Sequence, residues 1–302
     1  MTQDRLTIVK YLTINERDND WGSYVTTLGY QKVKADSPYP PLGHPKGYMF
    51  DKCKGRVLKE YQLIYITEGE GYFESSHCSN MVVTAGDMIL LFPNEWHTYY
   101  PSKKTGWATY WVGFEGEYID NLIKKDFFSI EEPVFNIHLS ESITSLFIQA
   151  ITTAQSEYSG YQQVLGSVAV LLLGLMRSES INKQFERNKL GSIVERARLL
   201  MKQDVDSNVS PQDIASALDV GYSWFRKLFK SYTGISPAKY QSQLRVIRAK
   251  EYLTYSAISI KEIAYQMNFE SVTYFSAFFK KNTGLSPSEY INRYVVTKQL
   301  VE

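Results

Sequence analysis

Two groups of side chains in this chain have the types and spacing to do chemistry. The first lies in Trp107-Ala108-Thr109-Tyr110-Trp111. In a strand, Trp107, Thr109 and Trp111 share one face. Just upstream, Trp96-His97-Thr98-Tyr99 offers an imidazole and a phenol, and Arg56 supplies guanidinium donors. Flat aromatic faces stack on sugar C–H groups, while hydroxyl, imidazole and guanidinium groups bond ring hydroxyls. Arg56, His97, Tyr99, Trp107, Thr109 and Trp111 are therefore the candidate ligand-binding set, and the chemistry suits a carbohydrate. The alternative, aromatics that merely fill a small barrel, stays open.

The second group is duplicated. Ile214-Ala215 is followed by Gly234-Ile235-Ser236-Pro237 and Tyr240, and Ile263-Ala264 by Gly284-Leu285-Ser286-Pro287 and Tyr290. Phe225, Phe229 and Lys230 correspond to Phe275, Phe279 and Lys280. The offset is 49 residues at the first marker and 50 at the others, so one extra residue sits in the second turn. Two copies are too few for a solenoid.

Each copy predicts helix, short turn, helix. Ser210 and Ser259 are the expected caps, with Pro211 at the first helical position. Gly221 is expected to break the first copy and Asn268 to occupy the turn of the second, because asparagine tolerates a left-handed backbone. Trp224, Phe225, Leu228 and Phe229 form an apolar stripe. Ser271 should cap the last recognition helix, with Phe275, Phe278 and Phe279 inward. Polar and basic residues on the second helix of a pair are the ones that reach DNA. Those candidates are Ser223, Trp224, Arg226, Lys227 and Lys230, then Ser271, Thr273, Tyr274, Ser276, Lys280 and Lys281.

The elements that position these groups differ between the two ends. From Tyr61 to Phe114 short β-rich runs alternate with turns: Tyr61–Phe73 broken by glycines 69 and 71, Met81–Val83, Met88–Phe92, Trp96–Tyr100 and Trp107–Phe114. Strands with turns every 8–12 residues argue for a sandwich or barrel. Residues 116–180 read as helical, including Ser140–Ser156 and Gln162–Arg177. Leu165, Val168, Leu172 and Leu175 form an apolar face for packing on the barrel or on another chain. The predicted class is α+β with two domains: a jelly-roll barrel with helices over 1–180, a polar linker over 181–190, and an all-helical unit over 191–302. Residues 1–20 show no strong pattern.

Charge follows the same division. Residues 191–302 carry 15 Lys and Arg against 10 Asp and Glu, a net of +5, whereas 1–190 carry 18 against 22, a net of −4. A basic C-terminal third fits a module making a few phosphate contacts. Four histidines (44, 77, 97 and 138) form no H-x-H pair, and Cys53 and Cys78 have no metal-ligand spacing. No metal, no cofactor and no catalytic residue is therefore expected. A metal enzyme fused to a DNA-binding unit is the remote alternative. Val168–Met176, nine residues, is too short to span a bilayer. With no apolar leader at Met1–Arg5, a soluble cytoplasmic protein without a membrane partner is expected.

The duplicated motif, with Arg245, Arg248-Ala249-Lys250 and Leu253 between the copies, resembles the DNA-binding region of AraC/XylS-family transcription regulators over about 195–294. The order strand, E-G-x-G, strand, A-G-D, strand, F-P, W-H resembles that family's cupin-like effector domain over about 40–128. Trp21-Gly22 and Tyr39–Pro45 resemble lead-in segments of sugar-responsive members. Two departures from the family pattern are Asn268, where glycine is usual, and Gly221, where a serine cap is usual. The resemblance implies two helix-turn-helix units joined by a long helix over Pro237 to about Tyr255. It also implies a sugar-contacting strand at Trp107–Trp111, dimerisation through helices after the barrel, and an N-terminal arm able to cover the ligand.

Overall fold

The computed structural model describes residues 7–40, 53–186, 190–207, 209–256 and 258–294. The chain divides into two compact units, Met1–Ile181 and Asn182–Glu302. The first is a sheet-rich barrel with helices and the second is all helical, so the class is α+β with two domains.

The first unit begins with β1 (Thr7–Tyr11), α1 (Glu16–Asp20), β2 (Tyr24–Val33) and β3 (Arg56–Val57). Next come β4 (Tyr61–Ser75), β5 (Met81–Thr84), β6 (Asp87–Leu91), β7 (Trp96–Pro101) and β8 (Trp107–Glu115). The unit ends with α2 (Glu117–Lys124), β9 (Val134–Asn136), α3 (Glu141–Ser156) and α4 (Tyr161–Glu186), which runs on past Ile181. One row of strands runs β1-β2-β8-β4-β6-β9, and β4 continues into a second row with β5, β7 and β3. The strand β4 is therefore not broken by its glycines. It bends from one row to the other near a register shift between Ile66 and Glu68, where Gly69 takes φ 74°.

Alternation decides what each side of the sheet meets. On β8, Val112 and Phe114 pack outward with Leu165, Val168, Ala169, Leu172, Leu173 and Met176 of α4. Burying so many aliphatic side chains is the main favourable contribution to this unit. Leu165, Val168 and Leu172 are thus committed to the core, not free to meet another chain. Tyr161–Lys183 is long and apolar enough to cross a membrane by length and composition. The nine-residue run read from the sequence understates it, yet its apolar side packs as a core helix does. Gln162 of α4 also completes the ladder where β2 bulges: its side chain accepts from Val25 N at 3.1 Å and donates to Val25 O at 2.9 Å.

Residues 181–186 are helical where the sequence suggests a linker. Ile181 and Phe185 lie four apart, on one helical face. Phe185 is buried, its ring centroid 4.8 Å from that of Tyr232. Residues 187–189, and 41–45 of the proposed lead-in segment, lie outside the described residues.

The second unit comprises α5 (Leu190–Gln203), α6 (Pro211–Ala217), α7 (Tyr222–Thr233), α8 (Pro237–Tyr255), α9 (Ile260–Gln266), α10 (Val272–Thr283) and α11 (Pro287–Tyr294). Ser210, Ser259 and Ser271 cap α6, α9 and α10. The left-handed turn residues are Asp219 and Asn268, both at φ 56°. Gly221 instead sits at φ −67° as the N-cap of α7. The offset of 49 persists through matching turn bonds, Val220 N to Ala215 O and Phe269 N to Ala264 O. It becomes 50 at the N-caps Gly221 and Ser271, so the extra residue is Glu270.

Candidate effector pocket and nucleic-acid interface

Inside the barrel, the two tryptophans of β8 have different fates. Trp107 is 3% exposed and packs with Val33, Ile66, Phe73, Val83 and Leu91, plugging one part of the interior. Trp111 lines a cavity of about 50 Å³ with Tyr11, Thr27, Gln31, Tyr39, Pro40, Arg56, Gln62, Ile64, Tyr99 and Thr109. Both indoles depend on glycine opposite them. A Cβ at Gly29 would lie 2.5 Å from Trp111 Cζ2, and one at Gly71 would lie 2.5 Å from Trp107 Cζ3.

Arg56 is the hub of the polar lining. Its guanidinium donates to the Tyr99 hydroxyl, to Gln62 Oε1 at 3.4 Å and to His97 Nε2 at 3.4 Å. His97 also lies 3.0 Å from the Glu95 carbonyl through Nδ1, so Nδ1 carries the proton and Nε2 accepts. Burial, then the neighbouring Arg56 charge, lowers His97 to about 4. Behind the lining, buried Glu60 accepts from Thr26 and Thr27, and burial pushes its carboxyl up.

Of the six residues singled out in the sequence, the structure brings Arg56, Tyr99, Thr109 and Trp111 to the cavity. It places His97 behind Arg56 and Trp107 in the plug. Thr27 and Gln31 on β2, Gln62 on β4, Tyr11 on β1 and Tyr39 were not anticipated. The signal for Thr27 and Gln31 was the run Tyr24–Val33, rich in β-branched and aromatic residues. Its inward positions Thr27, Gly29 and Gln31 are not apolar, which hides the period-2 pattern. Among the described residues, no group of three or more His, Cys, Asp or Glu is arranged to hold a metal ion.

In the helical unit, α7 exposes Ser223, Arg226, Lys227 and Lys230 while Phe225, Leu228 and Phe229 are buried. Trp224, placed in the apolar stripe by its type, is 44% exposed and lies on the outer face instead. On α10, Thr273, Tyr274, Lys280 and Lys281 are exposed and Ser276 is half-buried. The Ser271 hydroxyl is engaged as a cap, accepting from Tyr274 N at 3.1 Å.

The connecting helix α8 ties the two pairs together. Arg245 donates to Met267 O at 2.6 Å and lies 4.1 Å over the Phe269 ring. Arg248 pairs with Asp206 at 3.2 Å, and Tyr252 donates to the same carboxylate. These two arginines thus hold protein groups that set the relative placement of the pairs, while the recognition faces stay open.

A barrel with a polar and aromatic cavity, followed by paired helix-turn-helix units with open basic faces, defines a ligand-binding DNA-binding regulator. The AraC-like ligand binding domain model matches residues 42–168, and a helix-turn-helix domain model matches 214–293. The chain is 27% identical over 238 residues to the Msm operon regulatory protein of Streptococcus mutans, covering 76% of this chain and 82% of that one. It is 23% identical to the lactose operon transcription activator of Staphylococcus xylosus, covering 73% and 79%. It is 25% identical to the raffinose operon transcriptional regulatory protein RafR of Pediococcus pentosaceus, covering 74% and 83%. The chain belongs to the AraC family of transcription regulators.

Proposed function

We propose that the barrel binds a small carbohydrate and that its binding changes the affinity of the helix-turn-helix pairs for an operator. The observation that carries this reading is the cavity lining: one indole face, the neutral hydrogen-bonding groups of Thr27, Gln31, Gln62 and Thr109, and one cation, Arg56. Such a set matches a polyhydroxylated ring better than a fatty or strongly charged ligand. The names of two relatives, regulators of lactose and raffinose operons, point the same way. At about 50 Å³ the cavity holds one or two waters, less than a sugar ring occupies. Occupancy by a sugar therefore requires the lining to widen.

In the same reading Arg56, Tyr99, Thr109 and Trp111 contact the ligand, and His97 and Trp107 support them from behind. The recognition residues named on α7 and α10 contact the DNA. The protein works in the cytoplasm as a homodimer. Because Leu165, Val168 and Leu172 are committed to the core, the dimer face must lie elsewhere, for example around exposed Trp21, Ile148 and Leu171.

The test is operator binding measured with and without saccharide, on DNA selected by the chain itself. Coupling of roughly 5- to 150-fold for one sugar is expected. Identical affinity across a panel of pentoses, hexoses and disaccharides would leave a DNA-binding regulator with a plugged barrel.

A further inference from the structure

The two recognition helices correspond residue by residue, and in the middle of their outer faces the chemistry differs at two positions. Helices α7 and α10 are each 12 residues long and end on left-handed glycines, Gly234 and Gly284. The threonines before these glycines bond back identically, Thr233 to Phe229 O at 2.7 Å and Thr283 to Phe279 O at 2.8 Å. In this register Ser223 matches Thr273, Trp224 matches Tyr274, and Lys230 matches Lys280. The mid-helix pairs that change character are Arg226 with Ser276 and Lys227 with Ala277, and in the last turn Ser231 matches Lys281. Where the first helix carries two exposed cations, the second carries a half-buried hydroxyl and an exposed methyl. The cations of α10 are confined to its last turn, at Lys280 and Lys281.

We infer that the two pairs read chemically different subsites: α7 a guanine-specified one, and α10 an A·T-specified one read through the thymine methyl. This rests on the DNA-binding reading above. Arginine and lysine bond guanine O6 and N7 in the major groove, and a cation there is what distinguishes guanine strongly. The middle of α10 has none. Its exposed Ala277, with the Thr273 methyl and the Tyr274 ring, offers apolar contact, which suits the C5-methyl of thymine. The Ser276 hydroxyl bonds either kind of base edge, and Lys280 and Lys281 are placed for phosphates. Base-specific affinity is accordingly concentrated in α7, and the operator half-site is chemically lopsided.

The experiment selects DNA from a random-sequence pool with the full chain and with two variants, R226S/K227A and S276R/A277K, at one fixed salt concentration. Arg226, Lys227 and Ala277 are exposed and Ser276 is half-buried, so far-UV circular dichroism checks folding. Wild type should enrich a guanine-bearing subsite and an A·T subsite about one DNA turn away, roughly 34 Å. R226S/K227A should lose the guanine preference alone and bind the selected site about tenfold or more weakly. S276R/A277K should gain a guanine preference at the second subsite. Enrichment of guanine at both subsites by wild type, or an unchanged preference in S276R/A277K, overturns the inference. A wild-type pool that enriches no sequence at all would instead remove the DNA-binding reading beneath it.

Discussion

At the residue scale, the buried imidazole of His97 records how the pocket is wired. It is 1% exposed and must be neutral to accept from Arg56. Burial and then Arg56 hold it at about 4. Unfolded histidine titrates near 6.5, so between those values the unfolded chain binds the additional proton. Stability of the barrel should therefore fall as pH drops from about 6.5 to about 4, by something on the order of 3 kcal/mol in full. Glu60, raised by burial, contributes with the opposite sign, its share being lost as pH rises. Comparison with His97→Gln isolates the imidazole: urea midpoints of wild type should decline with acid more steeply than those of the variant. Parallel pH profiles would mean that His97 is not held neutral by its surroundings. The sequence exposed this residue through its W-H-x-Y context. It did not reveal that Arg56 would stand between His97 and the cavity, since that depends on β3 pairing with β7.

At the scale of elements, the repeated helices were legible because their caps, apolar spacing and C-terminal glycines agree with one another. The β-rich runs from Met81 to Phe114 were legible because turns punctuate them. The elements that escaped are those whose local pattern is weak or mixed. Strand β2 carries Thr27 and Gln31 toward the cavity, β9 is only three residues long, and the five-residue α1 has little periodicity to show. Helix α8 makes the strongest element-level prediction. Tyr240 packs against Phe229 of the first pair, whereas Arg245 holds Met267 of the second. One alanine inserted after Gln243 rotates the following residues by about 100° and parts Arg248 from Asp206. Specific operator affinity should fall to the level for random DNA while helical circular dichroism persists. Footprints that remain unchanged would mean that the two pairs bind independently.

At the scale of the whole molecule, the proposed function joins a sensing unit to a reading unit through a coupling free energy. Whatever factor a saccharide imposes on operator binding, the operator must impose on saccharide binding. In the proposed function the barrel takes a carbohydrate against Trp111. The most direct measurement is tryptophan fluorescence of the full chain titrated with pentoses, hexoses and disaccharides, repeated with Trp111→Ala. Trp111 is one of five tryptophans and the one that lines the cavity. A saturable change is expected with at least one saccharide, and loss of most of the affinity for it in Trp111→Ala, with ligand-free DNA binding intact. No saccharide response, or equal affinity in the variant, would contradict it.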